Sequence, residues 1–373
     1  MEIIELTGTP TEQYDKLTVM LTAGQNIDGV VMWSDDSYDR FVSLGFLEPL
    51  NDYIKKDSIN LDPIKGLIEK ASRKGTIYAL PFQNSVWVTY YNKNIFDAAG
   101  VPYPMIIGPG KNIRRLQRNL PAGRAQKKFG VPYTLTGTRQ WAAIASQEGV
   151  SYYKEDGTPN VDHPAFLKYF KMRYQMTMVD KTVPSVIDNK MAKVHYSKAF
   201  STGKYGMLIV GEWAIGQIDK NVEGKYDFKY DIQVMPHPKG SKPTTWGTGS
   251  WYGINKRSSK EQKDLTWEFV KFLNGPEGAE YMATLNRMPA APTPKAIELF
   301  KKSAPAFVSN INALFVNYNY CTEKPFGENS NIFNKIMQEE SDLGLAGAKP
   351  LEKALQDAKE RIQKEIAATK KKE

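Results

Sequence analysis

The stretch Phe200-Ser-Thr-Gly-Lys-Tyr-Gly-Met-Leu-Ile-Val-Gly-Glu-Trp213 decides how the rest of the chain is read. Residues 206–210 are a short apolar run bounded by glycines, the pattern of a strand buried on both faces in a parallel-type sheet. Gly211 frees the backbone at the carboxyl end of that strand, and Glu212 and Trp213 open a helix expected to reach about Asp219. Open α/β sheets bind ligands in the crevice beyond the carboxyl ends of their strands. Trp213 is therefore either a ligand platform or a Trp packed under a loop.

Working outward, the same device recurs. The spacing of Tyr14, Leu17 and Leu21 predicts a helix closed by Gly24, after a possible strand over residues 3–6. A strand over 27–32 then runs into Trp33-Ser-Asp-Asp36, where Asp35 and Asp36 either accept hydroxyl hydrogen bonds or cap the next helix. Residues 75–81 and 86–91 read as two strands joined by an extended crossing, and Asn92 to Gly100 as a short helix. Further strands are expected over 131–135 and 230–235, and helices over 139–147 (carrying Trp141), 164–178 and 260–273. Thr244-Thr-Trp-Gly-Thr-Gly-Ser-Trp251-Tyr-Gly-Ile-Asn255 places Ser250 and Trp251 among glycines that permit close backbone approach or a second crossing. Leu351, Leu355, Ala358, Ile362 and Ile366 form one apolar stripe on a last helix. Strands alternating with helices on both sides of two crossings make this an α/β chain of two lobes.

Composition narrows the function. The 373 residues, 41% hydrophobic and 24% charged, suffice for large cores and about two domains. No apolar run approaches the roughly 20 residues that span a bilayer, and the first residues carry no basic region followed by an apolar one. The single cysteine, Cys321, leaves no internal disulfide, and His163, His195 and His237 have no metal-ligand spacing, so no metal is expected. The formal charge of +9 is concentrated in residues 111–128 and the tail 370–372, away from the aromatic residues. A groove for single strands interleaves the two, so no nucleic-acid partner is expected.

Catalytic templates are missing: there is no Gly-x-Ser-x-Gly elbow, no P-loop and no dinucleotide fingerprint, so no cofactor is expected. Carboxylates such as Asp35 and Glu212 fit glycosidase chemistry only at a defined separation, which sequence does not give. What recurs is Trp beside carboxylates and hydroxyls, a combination suited to a sugar with its apolar C–H faces and hydroxyl edges.

Val30-Val-Met-Trp33 with Leu44-Gly-Phe-Leu-Glu-Pro-Leu50, Gly75-Thr-Ile-Tyr-Ala-Leu-Pro81 with Tyr90-Tyr-Asn-Lys-Asn-Ile-Phe96, the stretch 200–213, Gly253-Ile-Asn255, and Gly275-Pro-Glu-Gly278 with Arg287-Met-Pro289 follow one another in a specific order. In this the chain resembles the extracellular solute-binding proteins of bacterial ABC sugar transporters, the maltose-binding-protein-like group. The resemblance implies a two-lobed periplasmic-binding-protein-like fold of type II with a cleft between lobes. Residues 1–84 with about 250–302 would form the first lobe, and 85–249 with about 303–373 the second. It implies hinge closure on a mono- or oligosaccharide about crossings near Asn84 and Ser250. By position, Trp33 and Asp36 would line the first lobe's side, Ser85 the first crossing, Trp251 the second crossing, and Trp213 the stacking platform, with Asp35, Glu212 and Trp141 as further candidates. It also implies an extracytoplasmic monomer without catalytic activity, whose partners are a sugar ligand and the membrane permease of an ABC transporter. The competing expectations are a secreted glycoside-active enzyme and a truncated, partly frame-shifted product with impaired binding.

Two departures from the family pattern stand out. An export signal, and a strand and helix preceding the strand matched by residues 2–6, are expected to be lacking from the first lobe. Residues 105 to about 128 carry Lys111, Arg114, Arg115, Arg118 and Arg124 but no acidic and no aromatic residue, where the family places an amphipathic helix with a Trp. That composition reads as a frame-shifted helix that returns to frame before Phe129.

Overall fold

A computed structural model describes residues 2–7, 10–104, 129–132, 138–192, 195–237, 241–327 and 329–370. In chain order its elements are α1 (Pro10–Thr22), β1 (Gly29–Met32), α2 (Asp35–Ser43), α3 (Asn51–Lys56), α4 (Lys65–Ala71), β2 (Ala79–Asn84), β3 (Trp87–Asn92), α5 (Lys93–Ala99) and β4 (Phe129–Pro132). There follow α6 (Thr138–Gln147), α7 (Pro164–Tyr174), α8 (Val186–Ala192), α9 (Tyr196–Ser201), β5 (Tyr205–Gly211), α10 (Ala214–Val222) and β6 (Tyr230–Val234). The last third holds β7 (Thr244–Gly247), β8 (Gly249–Ile254), α11 (Lys260–Asn274), α12 (Pro276–Thr284), α13 (Pro294–Ser303), β9 (Asn319–Thr322), α14 (Ser330–Leu345) and α15 (Leu351–Lys370). The basic stretch 105–128 lies outside the described residues, as do 133–137 of the expected strand 131–135.

The first sheet has the order β1-β8-β2, both pairs antiparallel. Pro81 has no N–H to give the ladder, and the register slips between Pro81 and Gln83. One face of this sheet buries Met32, Tyr38, Phe41, Leu47 and Trp251, and another cluster gathers Leu50, Leu80, Ile254 and Trp267. Residues 3–6 add no strand: the described segment 2–7 is irregular, and Ile3 is 78% exposed. An isolated apolar pair without a facing strand to complete its ladder gains nothing from the extended form.

The second sheet has the order β4-β5-β3-β6. β5 pairs parallel with β4 but antiparallel with β3, so the opening stretch lies in a mixed sheet rather than a purely parallel one. Both faces of β5 are nonetheless buried, which is what its unbroken apolar run requires. Val88, Tyr90, Leu208, Val210, Ile215 and Ile232 form this core, and Ala279, Ala283, Ala296 and Phe300 of α12 and α13 join it. Helices α12 and α13 therefore join this core, while residues 288–291 between them run beside β2 of the first sheet. A helical core beside it is built from Trp141, Phe166, Phe170, Phe333 and the stripe Leu355, Ala358 and Ile362 of α15.

The chain passes from the first sheet to the second at Ser85–Val86, just past β2, and at Thr248 it passes from β7, which pairs in parallel with β9 in a separate two-stranded sheet, into β8 of the first sheet. These passages are hydrogen-bonded to each other, Ser85 N–H donating to the Thr248 carbonyl at 3.1 Å. The segment 286–290 lies alongside: Asn84 N–H donates to the Met288 carbonyl at 3.2 Å and Ala290 N–H to the Phe82 carbonyl at 3.1 Å.

Candidate functional site

The start of α2 presents the first group of expected site residues. Ser34 is the N-cap, its backbone N–H donating to Ser37 Oγ at 3.2 Å. Asp35 and Asp36 occupy the first turn instead of the cap, where their charge suits the helix dipole. Asp35 is buried and fully used: Oδ1 accepts from Gly249 N–H and Trp251 Nε1, both at 3.1 Å, and Oδ2 meets Lys70 Nζ at 2.9 Å. Asp36 is half-buried and pairs with Lys324 Nζ at 2.7 Å. Trp33 is left 47% exposed, with Phe82 edge-on at 5.7 Å and the Arg287 guanidinium 5.7 Å from its ring centroid.

The junction of the two sheets holds the second group. Glu212 is completely buried at the end of β5. Its Oε1 accepts from Gln83 Nε2 at 2.8 Å and Met288 N–H at 3.2 Å, and its Oε2 from Val86 N–H at 2.8 Å. Burial raises the Glu212 carboxyl above the usual carboxylate range, while the Val86 and Met288 amides and the Arg287 charge act against that rise. Ser85 and Ser250 are buried beside it, the latter with its hydroxyl 3.4 Å from the Trp33 carbonyl. Asn84 is half-buried, and its Oδ1 is enclosed with no hydrogen-bond partner among the described residues. Tyr320, on β9, is 50% exposed; its hydroxyl is pushed up to about 12 by desolvation and then by the Glu212 charge. Its ring covers Gly247, where a Cβ would stand 2.4 Å from Tyr320 Cδ1.

Trp213 caps α10 and is half-buried. Its indole folds back over Gly211, where an added Cβ would stand 1.9 Å from the ring, and meets Trp87 edge-on at 5.6 Å. Arg287, which faces Trp33, precedes Met288, whose N–H holds Glu212, and Glu212 precedes Trp213 in sequence. The remaining two candidates lie inside. Trp251 is fully buried against Tyr38, with ring centroids 4.9 Å apart, and Trp141 stacks on Phe170 at 4.4 Å in the helical core, away from this junction. Lys324, Arg287, Tyr196 and Tyr320 were not singled out from sequence. Lys324 is 288 residues from Asp36, so no local pattern points to it.

A profile of the bacterial extracellular solute-binding proteins matches residues 2–307. The chain belongs to that family. Among its relatives, the maltotriose-binding protein of Pyrococcus abyssi is 26% identical over 280 residues, covering 72% of this chain and 55% of that protein. A binding protein of Brucella abortus is 26% identical over 265 residues, covering 69% of this chain and 61% of the relative. The chain spans about six-tenths of the length of the curated relatives it matches. Solved solute-binding proteins cover more. A sugar transporter protein of Rhizobium etli in an open conformation is 27% identical with a TM-score of 0.73, covering 95% of this chain and 89% of that one. An ABC substrate-binding protein of Listeria monocytogenes in complex with cycloalternan reaches a TM-score of 0.83 at 22% identity, covering 96% and 89%. These likenesses make the fold the two-lobed one of periplasmic sugar-binding proteins.

Proposed function

We propose that this solute-binding protein holds a mono- or oligosaccharide between its lobes and delivers it, outside the cytoplasm, to the permease of an ABC transporter by hinge closure, without turning it over. In this reading the first lobe comprises residues up to 84 and about 250–275, and the second comprises 85–249 and the rest, including 276–303. The observation that carries it is the exposed Trp33 indole facing Arg287 at the junction where Glu212 and the half-buried Trp213 sit. Two aromatic faces suit the C–H faces of a pyranose, and Asp36, Asn84 and Ser85 supply polar partners for its hydroxyls. Asp35, Glu212, Ser250 and Trp251 act from behind the wall: their polar atoms bind other parts of the protein, so they hold the ligand-facing residues rather than the ligand. Trp141 is assigned no contact, because it is stacked inside the helical core.

A thermal-shift and calorimetric screen of mono- and oligosaccharides tests this, starting with maltotriose because the Pyrococcus relative is named for it. A ligand at a hundredfold excess over its Kd stabilises the folded state by about 2.7 kcal/mol. Stabilisation without products on chromatography is the expected result. Cleavage of an oligosaccharide identifies a glycoside-active enzyme instead, and silence across the screen sinks the sugar assignment.

A further inference from the structure

Glu212 is wholly buried and has no basic side chain at ion-pair distance among the described residues. Removing a carboxylate from water is costly unless hydrogen bonds replace the lost solvation. Here three N–H groups do so, and they come from three places: Gln83 near the end of β2 in the first sheet, Val86 in the passage to the second sheet, and Met288 in the segment alongside. The Glu212 backbone N–H also donates to the Val86 carbonyl at 3.0 Å. One side chain therefore ties β5 to the passage at 85–86 and to the segment 286–290 beside it. Its neighbour in sequence is Trp213.

We propose that Glu212 is the positioning residue of the hinge: it fixes the mutual arrangement of segments 83–86 and 286–290 and registers Trp213 against them, without touching ligand. This rests on reading the lobes as the moving parts and Trp213 as the platform. A carboxylate accepts at both oxygens, whereas the amide of glutamine accepts at one and turns N–H donors toward a protein N–H. Glu212→Gln thus keeps size and removes part of the tie. Gln83→Leu removes the donor from the first sheet and leaves both backbone donors satisfied.

Hydrogen exchange on the full chain without ligand is the test. In Glu212→Gln the amides of Val86 and Met288 are expected to exchange at least tenfold faster, with α14 and α15 at wild-type rates. In Gln83→Leu the rise at those two amides is smaller. Wild-type rates at Val86 and Met288 in Glu212→Gln overturn the proposal, and so does an equal acceleration in α14 and α15, which marks a general loss of stability. With maltotriose as probe, Glu212→Gln is expected to weaken binding about tenfold. If wild-type protein ignores maltotriose, the sugar reading suffers, and the exchange comparison still decides the hinge.

Discussion

The indole Nε1 of Trp213 donates to the Tyr196 hydroxyl at 2.5 Å, and that hydroxyl donates to Gln217 Oε1 at 2.9 Å. The relay fixes the orientation of the indole, and on the proposed function it sets which face the sugar meets, since a half-buried Trp held only by packing can rock about its χ2 angle. Tyr196→Phe removes the relay and little volume. A hydrogen bond of this kind contributes about 0.5–1.5 kcal/mol, so sugar affinity is expected to fall up to about tenfold, with a red-shifted tryptophan emission. Unchanged affinity and emission in calorimetry and fluorescence would show that Tyr196 does not orient the platform.

Gly211 makes a second prediction about the same indole. A Cβ at this position overlaps the Trp213 ring at 1.9 Å, so Gly211→Ala cannot keep both residues in place. The cheapest response is for the indole to leave, because β5 is paired on both sides. Overpacking of this kind costs about 1–3 kcal/mol of stability. Sugar binding should be reduced more than in Tyr196→Phe while the fold survives; the comparison of melting curves with calorimetric titrations reads both.

Why was Trp213 legible in the sequence and Lys324 not? Trp213 follows a glycine-bounded apolar run, and strand, turn and helix start are all local signals. β5 is readable from its unbroken apolar run and α11 and α15 from their helical periodicity, whereas β8 reads only as glycine-rich close approach or a second crossing. Lys324 and Arg287 acquire their meaning only from Asp36 and Trp33 across the fold, and such long-range partners leave no trace in spacing. Asp35 and Glu212 show the converse. Residue type suggested ligand acceptors, but burial turned their oxygens inward to Trp251, Gly249, Gln83, Val86 and Met288. Helices α12 and α13 joined the core of the second sheet through Ala279, Ala283, Ala296 and Phe300, which the amphipathic pattern alone could not assign to a lobe.

Asp39 holds another long-range connection. It is buried, accepts from Gly327 N–H at 2.7 Å and Ser330 Oγ at 2.8 Å, and pairs with Arg73. The Arg73 guanidinium also lies 4.9 Å from the Phe326 ring centroid, so α2 and the start of α14 are clasped around one carboxylate. Asp39→Ala strands two donors and takes the buried counter-charge from Arg73, a loss of about 3–5 kcal/mol. Arg73→Met leaves Asp39 its two other donors and should cost less. Urea unfolding of both variants checks the order; an Asp39→Ala loss below about 1 kcal/mol would contradict the clasp.

Alkaline pH separates buried tyrosines from surface ones. Desolvation pushes the Tyr38 hydroxyl up to about 12, against some lowering by the Arg73 charge, and it donates to the Ala71 carbonyl at 3.0 Å. Tyr169 is likewise moved to about 12, by desolvation and then by its hydrogen bond to Glu148. A group whose folded value lies above its unfolded value near 10 binds more protons in the folded state between the two. Stability is therefore fully present below pH 10 and declines as pH rises toward about 12. Tyr38 alone accounts for roughly 2–3 kcal/mol of that decline. Circular dichroism and tyrosinate absorbance followed together should show the buried tyrosines ionising with unfolding. Tyr38→Phe should lose part of the slope between pH 10 and 12; an unchanged slope would assign the alkaline transition to other groups.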